Sequence, residues 1–216
     1  MSLFVFILAL LIINTDYCVE YNSIFVIPET NIEYPAKASY KLKKWRRGLY
    51  SGRSGQYYLV GRKAAKKHKG MWTLIGGKRE SYENDPIETA KREFAEETLG
   101  TIQIDLNQNN ISNIYDLKDL KKIAIIAHIT YDILIYGIIK FYKNIEKEKN
   151  KTNSKQDIIE IYRLALINTH DLSVLLKNKS NWLKALVFQP NGSHKVEKIE
   201  LRSSAAQILR KIAENK

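Results

Sequence analysis

The chain has 216 residues, 44% of them hydrophobic and 27% charged, which is ordinary for a globular protein and long enough for one domain with a sizeable core. Its single cysteine, Cys18, excludes an internal disulfide framework. Lysine and arginine (35) exceed aspartate and glutamate (23), which gives a formal net charge of +12. This excess favours polyanionic partners such as nucleotides or RNA, and the alternative is a general solubility charge.

The first predicted element is an unbroken apolar run, Leu3 to Ile13. About eleven residues are too few for a membrane-spanning helix, which needs roughly 20. The length suits the apolar part of a signal peptide, but no basic residue precedes it and no small-residue cleavage site follows. We therefore divide the chain into an apolar segment at 1–18 and a single domain at 19–216. The segment is a signal, a membrane anchor or an added core element. The cellular compartment is therefore not predicted, and the cytoplasm is one alternative.

Three strands and a cationic turn are predicted before residue 79. The strands are Ser23 to Pro28, ending at the proline, then Gln56 to Arg62, and Met71 to Lys78, which contains a pair of glycines. Lys63 to Gly70 forms the cationic turn between the second and third strands. The alternation of strands and turns is the beginning of an α/β fold.

The basic segment Lys37 to Arg53 has aromatic residues interleaved with its cations. Trp45, flanked on both sides by lysines and arginines, could stack on a base while the cations hold phosphate. The alternative is a tryptophan packed on the sheet with solvated basic neighbours.

A helix is predicted to follow Asp85. Asp85 is suited to be its N-cap and Pro86 its first residue. Gly100 lies where a C-cap is expected. The predicted buried stripe consists of Ile87, Ala90, Phe94 and Thr98.

The remaining elements complete a predicted α/β sandwich. They are a bent strand or hairpin around Gly137 (Ala124 to Tyr142), a lysine-rich loop (Asn144 to Asp157), a strand (Ile158 to Leu166), a helix that begins at Thr169 to Leu172, and an amphipathic helix (Ser203 to Glu214).

Three glutamates near the end of the Asp85 helix are the most informative feature of the sequence. Glu93, Glu96 and Glu97 are spaced i, i+3 and i+4, so they share one face and repel one another. They also lie toward the helix C-terminus, where the macrodipole disfavours negative charge. A cation between them would remove both costs, and hard divalent cations take carboxylate oxygens together with substrate phosphates. The pattern therefore predicts a metal site for phosphate chemistry; the alternative is a solvated acidic face.

The segment Gly77 to Gly100 resembles the Nudix box, which runs from a glycine through a glutamate to Arg-Glu-apolar-x-Glu-Glu-x-Gly. Gly77 and Glu83 have the family spacing, and Arg92 to Glu97 matches without a gap. Two departures are visible: eight residues separate Glu83 from Arg92 where the family has seven, and Leu99 adds one residue before Gly100. Neither departure changes the spacing among Glu93, Glu96 and Glu97.

The resemblance implies a Nudix-type α/β/α sandwich with a mixed central sheet. It also implies an enzyme that hydrolyses a diphosphate linkage. Glu93, Glu96 and Glu97 would bind one or more Mg²⁺ or Mn²⁺ ions, with the Gly77 carbonyl as a further ligand. Arg92 would pair with Glu83 in a supporting role. One box glutamate would accept the proton of the attacking water, or a later glutamate would: Glu146, Glu148 or Glu160. Arg62, Lys78 and Arg79 are placed to contact substrate phosphates.

The expected substrate is a nucleoside diphosphate linked to another group X, and the products are a nucleoside monophosphate and phosphate-X. Nucleotide sugars such as ADP-ribose, dinucleotides and damaged nucleoside triphosphates fit this description. An enzyme acting on a capped or triphosphorylated RNA 5′ end is an alternative, as is a module that binds a nucleotide or RNA without cleaving it. The sequence does not predict the identity of X or the oligomeric state.

Overall fold

The computed structural model describes residues 21–33, 54–64, 70–151, 159–178 and 180–215. Its strands are β1 (Ser23–Ile32), β2 (Gly55–Lys63), β3 (Trp72–Thr73), β4 (Ile75–Lys78), β5 (Ile111–Leu117), β6 (Lys122–His128), β7 (Ile161–Asn168), β8 (Trp182–Phe188) and β9 (His194–Glu200). Its α-helices are α1 (Pro86–Glu97), α2 (Tyr131–Lys151), α3 (Leu172–Asn178) and α4 (Ser203–Glu214), and short 3-10 turns lie at Lys118–Leu120 and Thr169–Asp171.

The nine strands form one mixed sheet with helices on both faces. The order is β5-β6-β1-β2-β7-β8-β9, with β3 paired to β2 and β4 paired to β1. Strand β1 runs parallel to β6 and antiparallel to β2 and β4. This mixed pairing confirms the predicted central sheet.

Alternate residues of β2 belong to two separate cores, which lie on the two faces of the sheet. Tyr57 and Leu59 pack with residues of α1 and α2, whereas Tyr58 and Val60 pack with residues of α3 and α4. This alternation is the period of two that a strand buried on both faces requires. The architecture is therefore an α/β/α sandwich, which confirms the fold class.

The predicted strand at the start of the domain is longer than expected. Strand β1 continues through Pro28 to Ile32. A proline has no amide hydrogen for a sheet ladder, but Pro28 lies where the partner of β1 changes, between Val26, the last residue paired with β4, and Glu29, the first paired with β2. The expectation that the proline ends the strand is thus wrong.

The predicted hairpin around Gly137 is also wrong. Residues 122–128 form β6, and a helix of 21 residues, α2, begins at Tyr131. A Cβ on Gly137 would lie 2.9 Å from the Thr101 carbonyl oxygen and 3.0 Å from the Ile102 Cα, so this glycine allows close packing of a helix rather than a turn.

Helix α2 extends into the predicted loop Asn144 to Asp157. Residues 144–151 are helical, which corrects that part of the prediction, and residues 152–158 lie outside the described residues. The apolar segment Leu3 to Ile13, the basic segment Lys37 to Arg53 and residues 65–69 of the cationic turn lie outside them too. Among the helices of the described ranges, none is both long enough and apolar enough to cross a membrane.

Candidate active site

Helix α1 begins as the sequence predicts. The Asp85 side chain accepts a hydrogen bond from the Ile87 amide at 2.8 Å, and Pro86 is the first helical residue. Ala90, Phe94 and Thr98 are buried. The C-cap is Thr98, not Gly100 as expected, and both Leu99 (φ 54°) and Gly100 (φ 63°) adopt the left-handed conformation. The extra residue therefore lengthens the C-terminal turn without entering the helix.

Two adjacent glycines, Gly76 and Gly77, lie within β4 and begin the segment 76–85, the glycine turn, which leads to α1. Gly76 has φ 142°, and a Cβ there would lie 2.2 Å from the Ile24 carbonyl oxygen. At Gly77 a Cβ would lie 1.9 Å from Oε2 of Glu93. The first glycine thus allows the close approach of β1, and the second allows the Glu93 carboxylate to pack directly on the main chain.

Glu83 and Arg92 form the contact that the resemblance implies. Arg92 Nε donates to Glu83 Oε1 at 2.7 Å and Nη2 donates to Oε2 at 3.1 Å. The Glu80 amide and the Thr89 hydroxyl donate to the same carboxylate, at 2.8 and 3.0 Å. Hydrogen bonds from Arg92 outweigh burial and lower the pKa of Glu83 to about 2. The extra residue before Arg92 is therefore accommodated, and the contact ties the turn to the helix.

Arg92 also contacts two of the predicted metal ligands. Its Nη1 lies 2.9 Å from Glu93 Oε1 and 3.2 Å from Glu96 Oε2. The Glu93 side chain is 13% exposed, and burial raises its pKa against the opposing effect of Arg92. The Glu96 side chain is 61% exposed. One guanidinium thus offsets part of the negative charge of Glu93 and Glu96.

Glu97 has a different environment from the other two. Its side chain is only 3% exposed, so it is not part of a solvated acidic face. The Gly76 amide donates to Oε2 at 2.8 Å, and Lys63 Nζ lies 2.6 Å from Oε1. Burial outweighs both partners and raises the pKa of Glu97 to about 7.

Lys63 is a site residue that sequence reasoning missed, because it was assigned to a turn. Its ammonium group contacts Glu97 and also Glu160 Oε2, at 2.5 Å. Burial lowers the pKa of Lys63, but the two carboxylates more than offset it, so the pKa is raised. Of the later glutamates considered as proton acceptors, Glu160 thus shares a cation with Glu97, whereas Glu146 and Glu148 lie on α2.

Two of the three predicted phosphate-binding residues line a cavity beside the glycine turn. Arg79 is positioned by a hydrogen bond from its Nε to the Glu83 carbonyl oxygen at 2.6 Å, and Lys78 is exposed. Arg62 is held elsewhere, with its Nε donating to the Gly70 carbonyl oxygen at 2.8 Å. The cavity has a volume of about 560 Å³ and is lined by Tyr21, Asn22, Lys78, Arg79, Glu80 and Ser81.

The donor set suits a hard divalent cation in its chemistry. Glu93, Glu96 and Glu97 offer carboxylate oxygens, and Gly77 offers a carbonyl oxygen against which Glu93 already lies. Within the described ranges, however, no three acidic, histidine or cysteine side chains converge as a ready metal cluster. Arg92 and Lys63 supply the positive charge instead.

The comparisons with known proteins agree with the motif. The family model that matches is the NUDIX domain, over residues 48–121. Comparison with curated proteins gave no match.

Solved structures that resemble the chain include a mutT/nudix family protein from Listeria innocua, at 16% identity and a TM-score of 0.41, with 89% of this chain and 91% of that chain covered. The NrtR protein of Shewanella oneidensis, complexed with a 27mer DNA, is 11% identical at a TM-score of 0.35, with 90% and 60% covered. A NUDIX hydrolase from Nitrosomonas europaea is 17% identical at a TM-score of 0.27, with 51% and 47% covered.

The matched segment encloses the glycine turn, the Glu83–Arg92 contact and all of helix α1. Because the family model and the motif coincide on these residues, the segment 48–121 is identified as a NUDIX domain.

Proposed function

We propose that the chain is a metal-dependent hydrolase that cleaves the diphosphate linkage of a nucleoside diphosphate linked to X. The products would be a nucleoside monophosphate and phosphate-X. The observation that carries the proposal is the position of Glu97. Its carboxylate is buried, accepts a hydrogen bond from the Gly76 amide and has a pKa raised to about 7. A raised pKa means that the negative charge is incompletely compensated in the protein alone, which suits a carboxylate that receives a cation.

Glu93, Glu96 and Glu97 would hold Mg²⁺ or Mn²⁺, together with the Gly77 carbonyl. When bound, such ions neutralise charge on the diphosphate and lower the pKa of an attacking water. The Glu83–Arg92 contact would keep the glycine turn against α1. The Glu93 carboxylate would then stay packed against the main chain of Gly77.

Basic residues of the cavity would bind the diphosphate. Lys78 and Arg79 line it, and the Arg79 guanidinium is held in place by the Glu83 carbonyl oxygen. Arg62 would contact a phosphate only after it leaves the Gly70 carbonyl oxygen. Glu160 is the favoured acceptor of the water proton outside the box, because Lys63 joins it to Glu97; Glu146 and Glu148 are the alternatives.

An RNA 5′ end is the alternative substrate. The net charge of +12 would favour a long polyanion over a small nucleotide. Binding of RNA through several phosphates should weaken steeply with salt, with a log-log slope of several units, whereas a small nucleotide held mainly through metal should show a shallow slope. A flat salt response for RNA would remove this substrate.

A module that binds a nucleotide without cleaving it is the second candidate function. The observation that favours it is that Arg92 and Lys63 already contact all three glutamates that would bind the metal. Such a module should bind nucleotide equally well with and without divalent metal, and should not consume it.

The test is a panel of nucleotide sugars, dinucleotides, nucleoside triphosphates and 5′-triphosphorylated or capped RNA, each with Mg²⁺ or Mn²⁺. Products would be identified by mass. A nucleoside monophosphate that appears only with metal supports the hydrolase. Unchanged substrate across the panel, together with metal-independent nucleotide binding, would favour the binding module.

A further inference from the structure

We propose that Lys63 is a positioning residue whose ammonium group occupies a cation position between Glu97 and Glu160 and is displaced when a divalent cation binds Glu97. The inference rests on the proposed function, because it assumes that Glu97 is a metal ligand. It adds that a side chain of the protein competes with the metal for Glu97.

The contact distances make Lys63 a substitute for a cation. Its Nζ lies 2.6 Å from Glu97 and 2.5 Å from Glu160, so one ammonium group bridges two carboxylates from different parts of the chain. The Lys63 side chain is 14% exposed and Glu97 is almost fully buried, so solvent screens their attraction poorly. A divalent cation on Oε1 of Glu97 would repel this ammonium group, and the two cannot share the oxygen at these distances.

An irregularity in the sheet holds this bridge in place. Arg62 pairs with Arg163 but Lys63 pairs with Ile161, so Tyr162 is the extra residue of a β-bulge in β7. The Ala64 amide also donates to the Glu160 carbonyl oxygen at 2.7 Å. Bulges next to functional sites redirect side chains and end pairing, and this one brings Glu160 beside the end of β2.

Glu160 gives the displaced lysine a place to go. The Glu160 side chain is 58% exposed, so it can keep Lys63 paired at the edge of the site after the ammonium leaves Glu97. Displacement therefore does not require an unpaired buried lysine, which would be costly. It leaves Glu97 free to bind the metal while the lysine remains paired with Glu160.

The test measures Mn²⁺ binding to the full chain by electron paramagnetic resonance, with the parent and the variants Lys63→Gln, Lys91→Gln and Glu97→Gln. Lys91 is an exposed residue of the same helix as Glu97, so Lys91→Gln removes an equal charge without touching the bridge. We expect Lys63→Gln to bind Mn²⁺ about tenfold more tightly or better, because a cation beside a ligand carboxylate is removed. Lys91→Gln should change the Kd by less than about twofold, since exposed charges are screened.

Thermal unfolding provides a second readout that does not depend on activity. Without metal, Lys63→Gln should melt below the parent, because Glu97 loses its buried partner, and Mn²⁺ should raise its melting temperature more than that of the parent. If Lys63→Gln is unfolded without metal, Mn²⁺ should restore its helical circular dichroism, and failure to do so contradicts the proposal.

The outcomes separate the two levels of inference. If Lys63→Gln binds Mn²⁺ no more tightly than the parent while Glu97→Gln loses binding, Lys63 is not a competitor and the metal site stands. If Glu97→Gln binds Mn²⁺ as the parent does, the proposed function itself is wrong.

Discussion

Two buried glutamates of the same motif have opposite electrostatic environments. Glu83 and Glu97 are 6% and 5% exposed, yet the pKa of Glu83 is lowered to about 2 and that of Glu97 is raised to about 7. The difference lies in the donors, because Arg92 with Glu80 and Thr89 surrounds the first carboxylate, whereas Lys63 and the Gly76 amide contact the second.

The contrast separates a structural carboxylate from one suited to bind a cation. Glu83 is saturated by donors of the chain itself, so it has no capacity left for a ligand. Glu97 is buried at a cost that its partners do not fully offset, and a divalent cation would offset the rest. Burial alone therefore does not tell the two roles apart; the set of donors does.

The largest expected effect is on stability, at Glu83. Glu83→Gln removes one partner of a buried ion pair and leaves Arg92 with a weaker acceptor. We expect the free energy of unfolding to fall by about 3 to 5 kcal/mol, measured by urea denaturation. Glu80→Gln, an exposed glutamate three residues earlier, is the matched control and should stay within about 0.5 kcal/mol. Equal stability of the two variants would show that the Glu83–Arg92 ion pair contributes little to stability.

The next largest effect is on turnover, at Glu97. Glu97→Gln keeps size and helix propensity but removes the charge that would bind metal. We expect turnover to fall on the order of 100-fold or more, by analogy with the loss of one electrostatic stabiliser. Glu88→Gln, an exposed glutamate in the first turn of the same helix, should retain the parent rate. A Glu97→Gln protein with parent activity would refute the assignment of the metal site.

The pH dependence of stability should reveal the raised pKa of Glu97. Between the ordinary value of 4.5 and about 7 the native protein holds this proton and the unfolded chain does not, so metal-free stability falls as pH rises through that window. The loss should reach at most about 3 kcal/mol, since one pKa unit is about 1.36 kcal/mol. Urea denaturation in chelator from pH 4.5 to pH 8 tests this, and Glu97→Gln should lack that part of the slope.

The smallest effect separates the two glycines. At Gly77 an added Cβ meets the end of the Glu93 side chain, which can move away, whereas at Gly76 it meets the main chain of β1. Gly77→Ala should therefore stay folded but lose on the order of 10- to 100-fold in turnover, because Glu93 is misplaced. Gly76→Ala should lower the melting temperature more than Gly77→Ala does. The reverse order of melting temperatures would contradict the packing described for Gly76 and Gly77.

Local signals made α1 predictable from sequence. Its N-cap, first proline and buried stripe are read from neighbouring residues, and the Glu83–Arg92 contact followed from the motif. The error at α2 has an equally local cause, since Gly137 in an isoleucine-rich run suggested a turn. The helical spacing of the buried residues was the signal to follow there: Leu134, Ile138, Phe141, Tyr142 and Ile145.

The Lys63 bridge could not be predicted in the same way. Lys63 and Glu97 are 34 residues apart, and Lys63 and Glu160 are 97 apart. Their meeting depends on the pairing of β2 with β7 and on the bulge at Tyr162, which no periodicity in the sequence encodes. The sequence thus predicted the helix that carries the three glutamates, whereas the pairing of the strands determines that Glu97 contacts Lys63.

The central claim, that Glu97 is the carboxylate that receives a cation and Glu83 is not, is tested most directly by titrating glutamate side-chain carboxyl groups with carbon-13 NMR in the metal-free protein. One resonance should titrate near pH 7 and be lost in Glu97→Gln, and another should stay ionised down to about pH 2 and be lost in Glu83→Gln. Adding Mg²⁺ should lower the first apparent pKa and leave the second unchanged. Ordinary titration of Glu97 near pH 4.5 without any response to Mg²⁺ would contradict the account.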